Sequence, residues 1–386
     1  MLKRQFSDSK GYAIGAMRRT LMSASILLLA TLTTTFGLAA QFPAVKIEPV
    51  VTDLESPWGL TQLPDSSWLI TEKNGKIVHI NALQERTEHD NLPADIFVPG
   101  QGGLLDIELH PQFDRNQFVY ISYAAGDVEA NRLTIARAKF SNNRFDDWQV
   151  IFAVSPDKDT PVHYAGRLLF APDGALLITS GDGFDYREHA QRKDSMLGKV
   201  LRISDWGEAL SDNPFYTGDG GAQDFIYTLG HRNPQGLVVD SVSQTIYLNE
   251  HGPAGGDEIN RLSPGTNYGW PVVTDGKDYS GANISPFSDY PNMTLPLVNW
   301  TPSIAPSSMV LYRGDLFPQL NGDFLVTALK TQRLHWVRVV GNEILIDHPV
   351  VDSLQARLRD IHVGNDGAVY ILTNGENASL LKMTPQ

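Results

Sequence analysis

The chain has 386 residues, 42% of them hydrophobic and 19% charged, which is enough apolar side chain for a sizeable core. A formal net charge of −13 argues against a nucleic-acid partner. There is no cysteine, so disulfides, Cys-ligated zinc and a thiol nucleophile are excluded, and any catalysis must use His, carboxylates, cationic side chains or a cofactor.

Residues 1–40 read as a signal peptide. Met17-Arg18-Arg19 supplies a positive n-region, residues 21–32 a short apolar run, and Gly37, Ala39 and Ala40 small residues for cleavage near Ala40 or Gln41. The other reading is a membrane anchor, but the run is short, diluted by Ser and Thr, and has no stop-transfer flank. An integral membrane protein is therefore not expected. The stretch before Met17 is a long n-region or an upstream start, with Met17 then the true one. Export without cysteine points to a bacterial periplasm.

From Trp58 onward one unit recurs: an alternating apolar run, a tight turn, and a second apolar run. It starts at Trp58, Leu104, Gly166, Gln235, Ser307 and Leu358. The turns carry Pro-Asp, Asp-Gly or Asn-Gly, which supply the geometry that hairpins need. Six copies lie roughly 45 to 75 residues apart, and no long stretch has a convincing helical period. A lone hairpin cannot bury its apolar face, so the copies must stack around a shared centre. The predicted fold is all-β, a six-bladed β-propeller with four-stranded antiparallel blades, filling residues 41–386 as one domain. A β-sandwich would space its strands more evenly and a β-helix would repeat faster. The spacing widens between Gly183 and Leu229 and between Gly252 and Ser307, in segments rich in Gly, Asp, Asn, Pro and Tyr. Such insertions gather on one face and commonly build the binding site.

Several constellations carry chemistry. His163, in PVHYAGRLLF, precedes the first strand of the third unit and is a general base or an ordinary hydrogen-bonded loop histidine. Asp182 ends the same hairpin, where it is placed to hold the imidazole's second nitrogen. In EHGPAGGDEINRLSPGTNYGW, Glu250, Asp257 and Glu258 stand among glycines whose carbonyls are open, a hard-oxygen set that suits Ca²⁺ unless the loop is merely solvated. Arg357 and Arg359 share one face of a strand, and with Lys330 and Arg232 they form an anion clamp if they converge. On an outer face they are only solubilising. Gln101 stands between glycines in PGQGGLLDIELHP. Phosphate-binding loops, the dinucleotide fingerprint and the nucleophile elbow are all missing.

In this order, GQGGLLDIELHP, HYAGRLLFAPDG, SGDG, LGHRNPQGL, EHGP with DEIN, NYGWP and RLRDI make the chain resemble the soluble quinoprotein sugar dehydrogenases. The resemblance runs from about Pro57 to the C-terminus. It implies an oxidoreductase that binds pyrroloquinoline quinone (PQQ) and Ca²⁺ and oxidises aldose sugars at C1 to lactones by hydride transfer. By that resemblance His163 is the base, Asp182 its orienting partner, and Arg232 and Asn233 contact the quinone oxygens. Gln101, Lys330, Arg357 and Arg359 hold the cofactor's carboxylates and ring edge, and Tyr279 lies near it. Gly252 and Pro253 offer carbonyls to the catalytic Ca²⁺, and Glu258 and Tyr268 ligate a further one. The implied partners are a small aldose and an electron acceptor, a quinone or a redox protein. The loops look shorter than in glucose-specific members, so an open pocket and a monomer are expected. His231 is expected only to pack beside the base. Two other readings are a Ca²⁺-dependent propeller lactonase, against which the cationic set argues, and a noncatalytic binding propeller, against which His163 and Arg232 argue.

Overall fold

The computed structural model describes residues 41–386; the expected signal segment, residues 1–40, lies outside them. Six four-stranded antiparallel sheets make up the described fold, the architecture that the six repeats predict. The innermost strands are Pro57–Gln62, Leu104–Leu109, Ala165–Phe170, Pro234–Val239, Pro306–Leu311 and Leu358–Val363, so each repeat marks the start of a blade. The turn chemistry is local. In the third blade, Asp173 accepts the backbone N–H of Ala175 at 3.0 Å and Gly174 takes φ +85°, which folds Ala165–Phe170 onto Leu176–Ser180.

The alternation expected in every strand fails in the second strand of the blades. Trp68–Glu72, Leu176–Ser180, Phe324–Ala328 and Val369–Thr373 are buried along their whole length. Both faces of such a strand pack against neighbouring sheets, so apolar side chains are needed on each. Leu105 and Ile135 of the second blade, for example, share a core with Leu168, Ile178 and Leu201 of the third.

Two features close the ring. The outer strand of the sixth blade comes from the other end of the chain: Val45–Leu54 pairs with Ala378–Pro385, Ile47 opposite Met383. At the axis, Arg167 of the third blade donates to Asp106 of the second at 2.8 Å, to Asp360 of the sixth at 3.1 Å, and to the Gln235 carbonyl of the fourth at 2.9 Å. Asp360 in turn accepts the Leu60 N–H of the first blade at 3.1 Å, and Arg167 also lies 3.5 Å from the Ser307 carbonyl of the fifth. One buried guanidinium thereby ties all six blades.

Candidate active site

The site lies on the face where the innermost strands begin. His163 sits at the end of the loop before Ala165–Phe170, with its backbone in the left-handed region at φ +52°. Two neighbours hold that conformation. Gln101 accepts the His163 N–H at 2.8 Å, and Gly181 leaves room for the His163 carbonyl, which a Cβ at 181 would meet at 2.1 Å. The hairpin brings its two ends together as its sequence predicts: His163 Nδ1 lies 2.7 Å from Asp182 Oδ1. The other oxygen of Asp182 accepts the indole N–H of Trp270 at 2.8 Å, and Oδ1 also accepts the Phe184 N–H. Nδ1 is thus committed, and Nε2 is the nitrogen left for chemistry.

Burial is the first cause that lowers His163 below the ordinary imidazole value; the charges of Arg232 and Lys158 add to it, and Asp182 opposes it. Burial would raise Asp182, but hydrogen bonding to His163 and the charges of His163 and Arg232 win and hold it low. The pair opens on a cavity of about 150 Å³ lined also by Phe184, Arg187, Arg232 and Pro253, with Trp270 and Tyr279. The widened segments do meet here, since Phe184 and Arg187 belong to the first and Trp270 and Tyr279 to the second.

A larger cavity of about 370 Å³ adjoins it at the axis, and every blade contributes to its wall. Trp58, Gln101, Tyr164, Asn233, Ala305 and Arg357 come from blades one to six in turn. Arg357 and Arg359 both face this space, joined by Lys73. Arg357 donates to the Leu329 carbonyl at 3.3 Å and Arg359 to Asn374 at 3.1 Å; Lys73 donates to the Gly100 carbonyl at 2.6 Å. None of these three cations forms a salt bridge among the described residues. Burial and the Arg167 charge bring Arg359 down to about 10, the mark of a cation short of an anion. Lys330 is exposed on the loop beside Leu329 and is not in the wall.

Arg232 connects the two spaces to the EHGP loop. Its guanidinium donates to the Gly252 carbonyl at 2.8 Å and the His251 carbonyl at 3.2 Å, and it lies 3.4 Å from the Tyr279 hydroxyl. The four residues singled out for metal divide. Gly252, Glu258 and Tyr268 border a cleft of about 10 Å³, whereas Pro253 faces the His163 cavity. The Tyr268 hydroxyl is donated to the Arg261 carbonyl at 2.6 Å, and its ring stacks on His231 at 5.0 Å. His231 therefore packs beside Tyr268 and Glu250, bonded to Glu250 Oε1 at 2.8 Å, and not beside His163. Glu258 is raised well above the usual carboxylate range by burial and the neighbouring Glu250 charge. Asp257 is occupied otherwise, accepting N–H groups of Gly252, Ile304 and Ala305.

Comparison with known proteins decides what this arrangement belongs to. The Glucose / Sorbosone dehydrogenase family profile matches residues 54–382. The chain belongs to that family. It is an oxidoreductase, and its relatives bear this out. The chain is 35% identical to the aldose sugar dehydrogenase of Escherichia coli (strain K12), over 89% of this chain and 93% of that one. A crystal structure of the soluble aldose sugar dehydrogenase from Escherichia coli in the apo-form superposes with a TM-score of 0.85 at 34% identity, covering 89% of this chain and 100% of that one. The PQQ-bound aldose sugar dehydrogenase from Streptomyces coelicolor does so with a TM-score of 0.73 at 25% identity, covering 90% and 100%.

The dehydrogenase has site residues that the sequence did not disclose. Lys73, in EKNGK, carries no motif that singles it out, and its position at the cavity follows only from the ring of blades. His251 was legible only as part of EHGP, yet it lines the large cavity with Nε2 buried and unpartnered. Burial first, then Arg232 and Arg359, brings it down to about 3, so it stays neutral. Trp270 was visible as a bulky aromatic in NYGW, but its bond to Asp182 was not.

Proposed function

We propose that the dehydrogenase oxidises aldose sugars at C1 to lactones with PQQ as cofactor. One observation carries this: three cations without a carboxylate partner line a cavity beside a His–Asp pair in a chain of net charge −13. A multiply anionic planar group fits there. Arg357, Arg359 and Lys73 answer its carboxylates, Asn233, Gln101 and Arg232 its ring oxygens and edge, and the unpartnered Nε2 of His251 a further polar atom. Lys330 lies outside the wall, on the exposed loop beside Leu329, and joins this set only by the family resemblance, while Tyr279 borders the smaller cavity beside His163.

PQQ, when bound, supplies the two-electron acceptor that this cysteine-free chain lacks. The protein's own residues do the rest. His163 Nε2 accepts the proton of the sugar's C1 hydroxyl, Asp182 holds Nδ1–H and steadies the imidazolium, and Trp270 fixes Asp182. Arg232 sets a positive charge where negative charge develops. The carbonyls of Gly252 and Pro253 suit a hard cation, and Glu258, with burial against it and Glu250 beside it, suits a second one near Tyr268; we assign both to Ca²⁺. The N-terminal sequence supports a signal peptide and a periplasmic enzyme, and we take it to act as a monomer that passes electrons to a quinone or redox protein. Among the described residues no helix is long and apolar enough to cross a membrane. A propeller lactonase would need its metal at the axis, where Arg167 lies instead.

The test is reconstitution. Purified protein with PQQ and CaCl₂ is expected to reduce a dye when glucose or another aldose is added, and to retain quinone absorbance. Neither sugar-dependent reduction nor retained quinone would overturn the reading.

A further inference from the structure

A buried cation stands close to the His163–Asp182 pair. Lys158 is 3% exposed and lies on the loop that ends in His163. Its backbone exchanges both hydrogen bonds with Asn131, at 2.8 and 2.9 Å, which pins the loop to the second blade. Its ammonium donates to Asn131 Oδ1 at 2.9 Å and to the Thr160 carbonyl, and lies 3.5 Å from the centre of the Tyr164 ring. Tyr164 donates its hydroxyl to the same Asn131 oxygen.

The stem of Lys158 packs against the turn that carries Asp182. Gly183, at φ +73°, approaches so closely that a Cβ there would meet Lys158 Cδ at 2.8 Å. A small cleft lined by His163, Tyr164, Gly181 and Lys158 joins the lysine to the back of the imidazole. Lys158 thus fills the space between the loop of His163 and the turn of Asp182. It forms no salt bridge among the described residues, although Asp157, Asp159 and Asp182 are near it in sequence or space. Asp157 is drawn to Arg132 at 2.6 Å, Asp159 to the Tyr186 hydroxyl at 2.8 Å, and Asp182 to His163 and Trp270. A buried ammonium without an ion-pair partner is costly, and its placement calls for a reason.

We propose that Lys158 is a positioning residue of the His163–Asp182 pair, whose ammonium, anchored by Asn131 and Thr160 behind the imidazole, opposes formation of the imidazolium and keeps His163 a free base. This rests on the reading of His163 as the base. The charged groups that bear on His163 are Asp182, which favours the imidazolium, and Arg232 and Lys158, which oppose it, with His251 neutral beyond them. Burial brings Lys158 itself down to about 7, against the pull of Asp159 and Asp182. Its charge is therefore present in the acid range, where His163 would otherwise take up its proton, and fades above neutrality, where no help is needed.

The test uses the full-length protein with Lys158→Met and Lys158→Gln. Methionine removes the charge and the hydrogen bonds; glutamine removes the charge but can still donate to Asn131 and Thr160. The first readout needs no cofactor: the titration midpoint of the His163 imidazole by NMR. Both variants are expected to raise it, glutamine as much as methionine. In the PQQ-loaded enzyme the acid limb of kcat/KM should move to higher pH by a matching amount, with KM for the sugar unchanged at high pH. An unmoved midpoint in either folded variant overturns the proposal, and a shift in Lys158→Met alone overturns it in favour of a hydrogen-bonding role. If Lys158→Met fails to fold, Lys158→Gln decides by itself. A wild-type protein without turnover would sink the dehydrogenase reading, whereas an active wild type with an unmoved midpoint would sink only the role of Lys158.

Discussion

In the proposed reaction a single imidazole carries the base chemistry, and its neighbours determine when it can act. His163 is free base above its titration point and lost to protonation below it. Because burial and two cations hold that point below the ordinary value, kcat/KM should fall only on the acid side of about 6.5. A profile whose acid limb lies above the ordinary imidazole value would refute this. Replacing His163 with Ala should leave PQQ binding intact and reduce kcat by about 10² to 10⁴, the usual contribution of a positioned base. Loss of binding instead would make His163 structural. Arg357 is argued differently, since it is exposed yet faces the cavity with only the Leu329 carbonyl as partner. Arg357→Ala should weaken PQQ affinity by about tenfold, near the 1.5 kcal/mol of one charge-assisted hydrogen bond, in a fluorescence titration. Unchanged affinity would remove it from the clamp.

At the scale of an element, the hairpin Ile246–Glu250 with Asp257–Arg261 bears on the second cation site proposed above. The antiparallel ladder sets Glu250 opposite Glu258, so two carboxylates share one face of the sheet. Glu250 is hydrogen-bonded to His231 Nδ1 at 2.8 Å and accepts the Arg232 N–H at 2.7 Å; Glu258 has only the Asn260 amide at 2.9 Å. Like charges side by side are destabilising unless a cation intervenes. Added CaCl₂ should therefore raise the Tm, with a gain of about 2.7 kcal/mol at a hundredfold excess over Kd. Glu258→Gln should lose the part of that gain due to this site while folding at least as well without calcium. An unaltered calcium response in the variant would place the ion elsewhere.

The whole ring depends on a few long-range ties. Arg167 is buried with two carboxylates and contacts main chain from other blades, so truncating it leaves Asp106 and Asp360 facing each other without the cation they share. Arg167→Leu should cost about 3–5 kcal/mol in urea unfolding, with little effect on Arg357 or Lys73. A loss near zero would mean that the axis tolerates neutralised carboxyls; Asp106 is already raised to about 6, by burial first and against the pull of Arg167. The closure by Val45–Leu54 works at the same scale, because it completes the sixth blade with a strand from the other end of the chain and so ties the two ends of the ring together.

The repeat and its turns are local in origin, so the sequence by itself determined the number of blades, where each begins, and the His163–Asp182 pairing across one hairpin. Order of motifs along the chain also determined the family. Burial of whole second strands was not legible, because it depends on sheets packing on both sides. The position of Lys73 in the clamp, the turning of His231 towards Glu250, the split of Pro253 from Gly252 and the passage of Arg167 across the axis were decided only by tertiary structure. Each is a meeting of residues from different blades, and no period within a blade encodes the angle at which the ring closes.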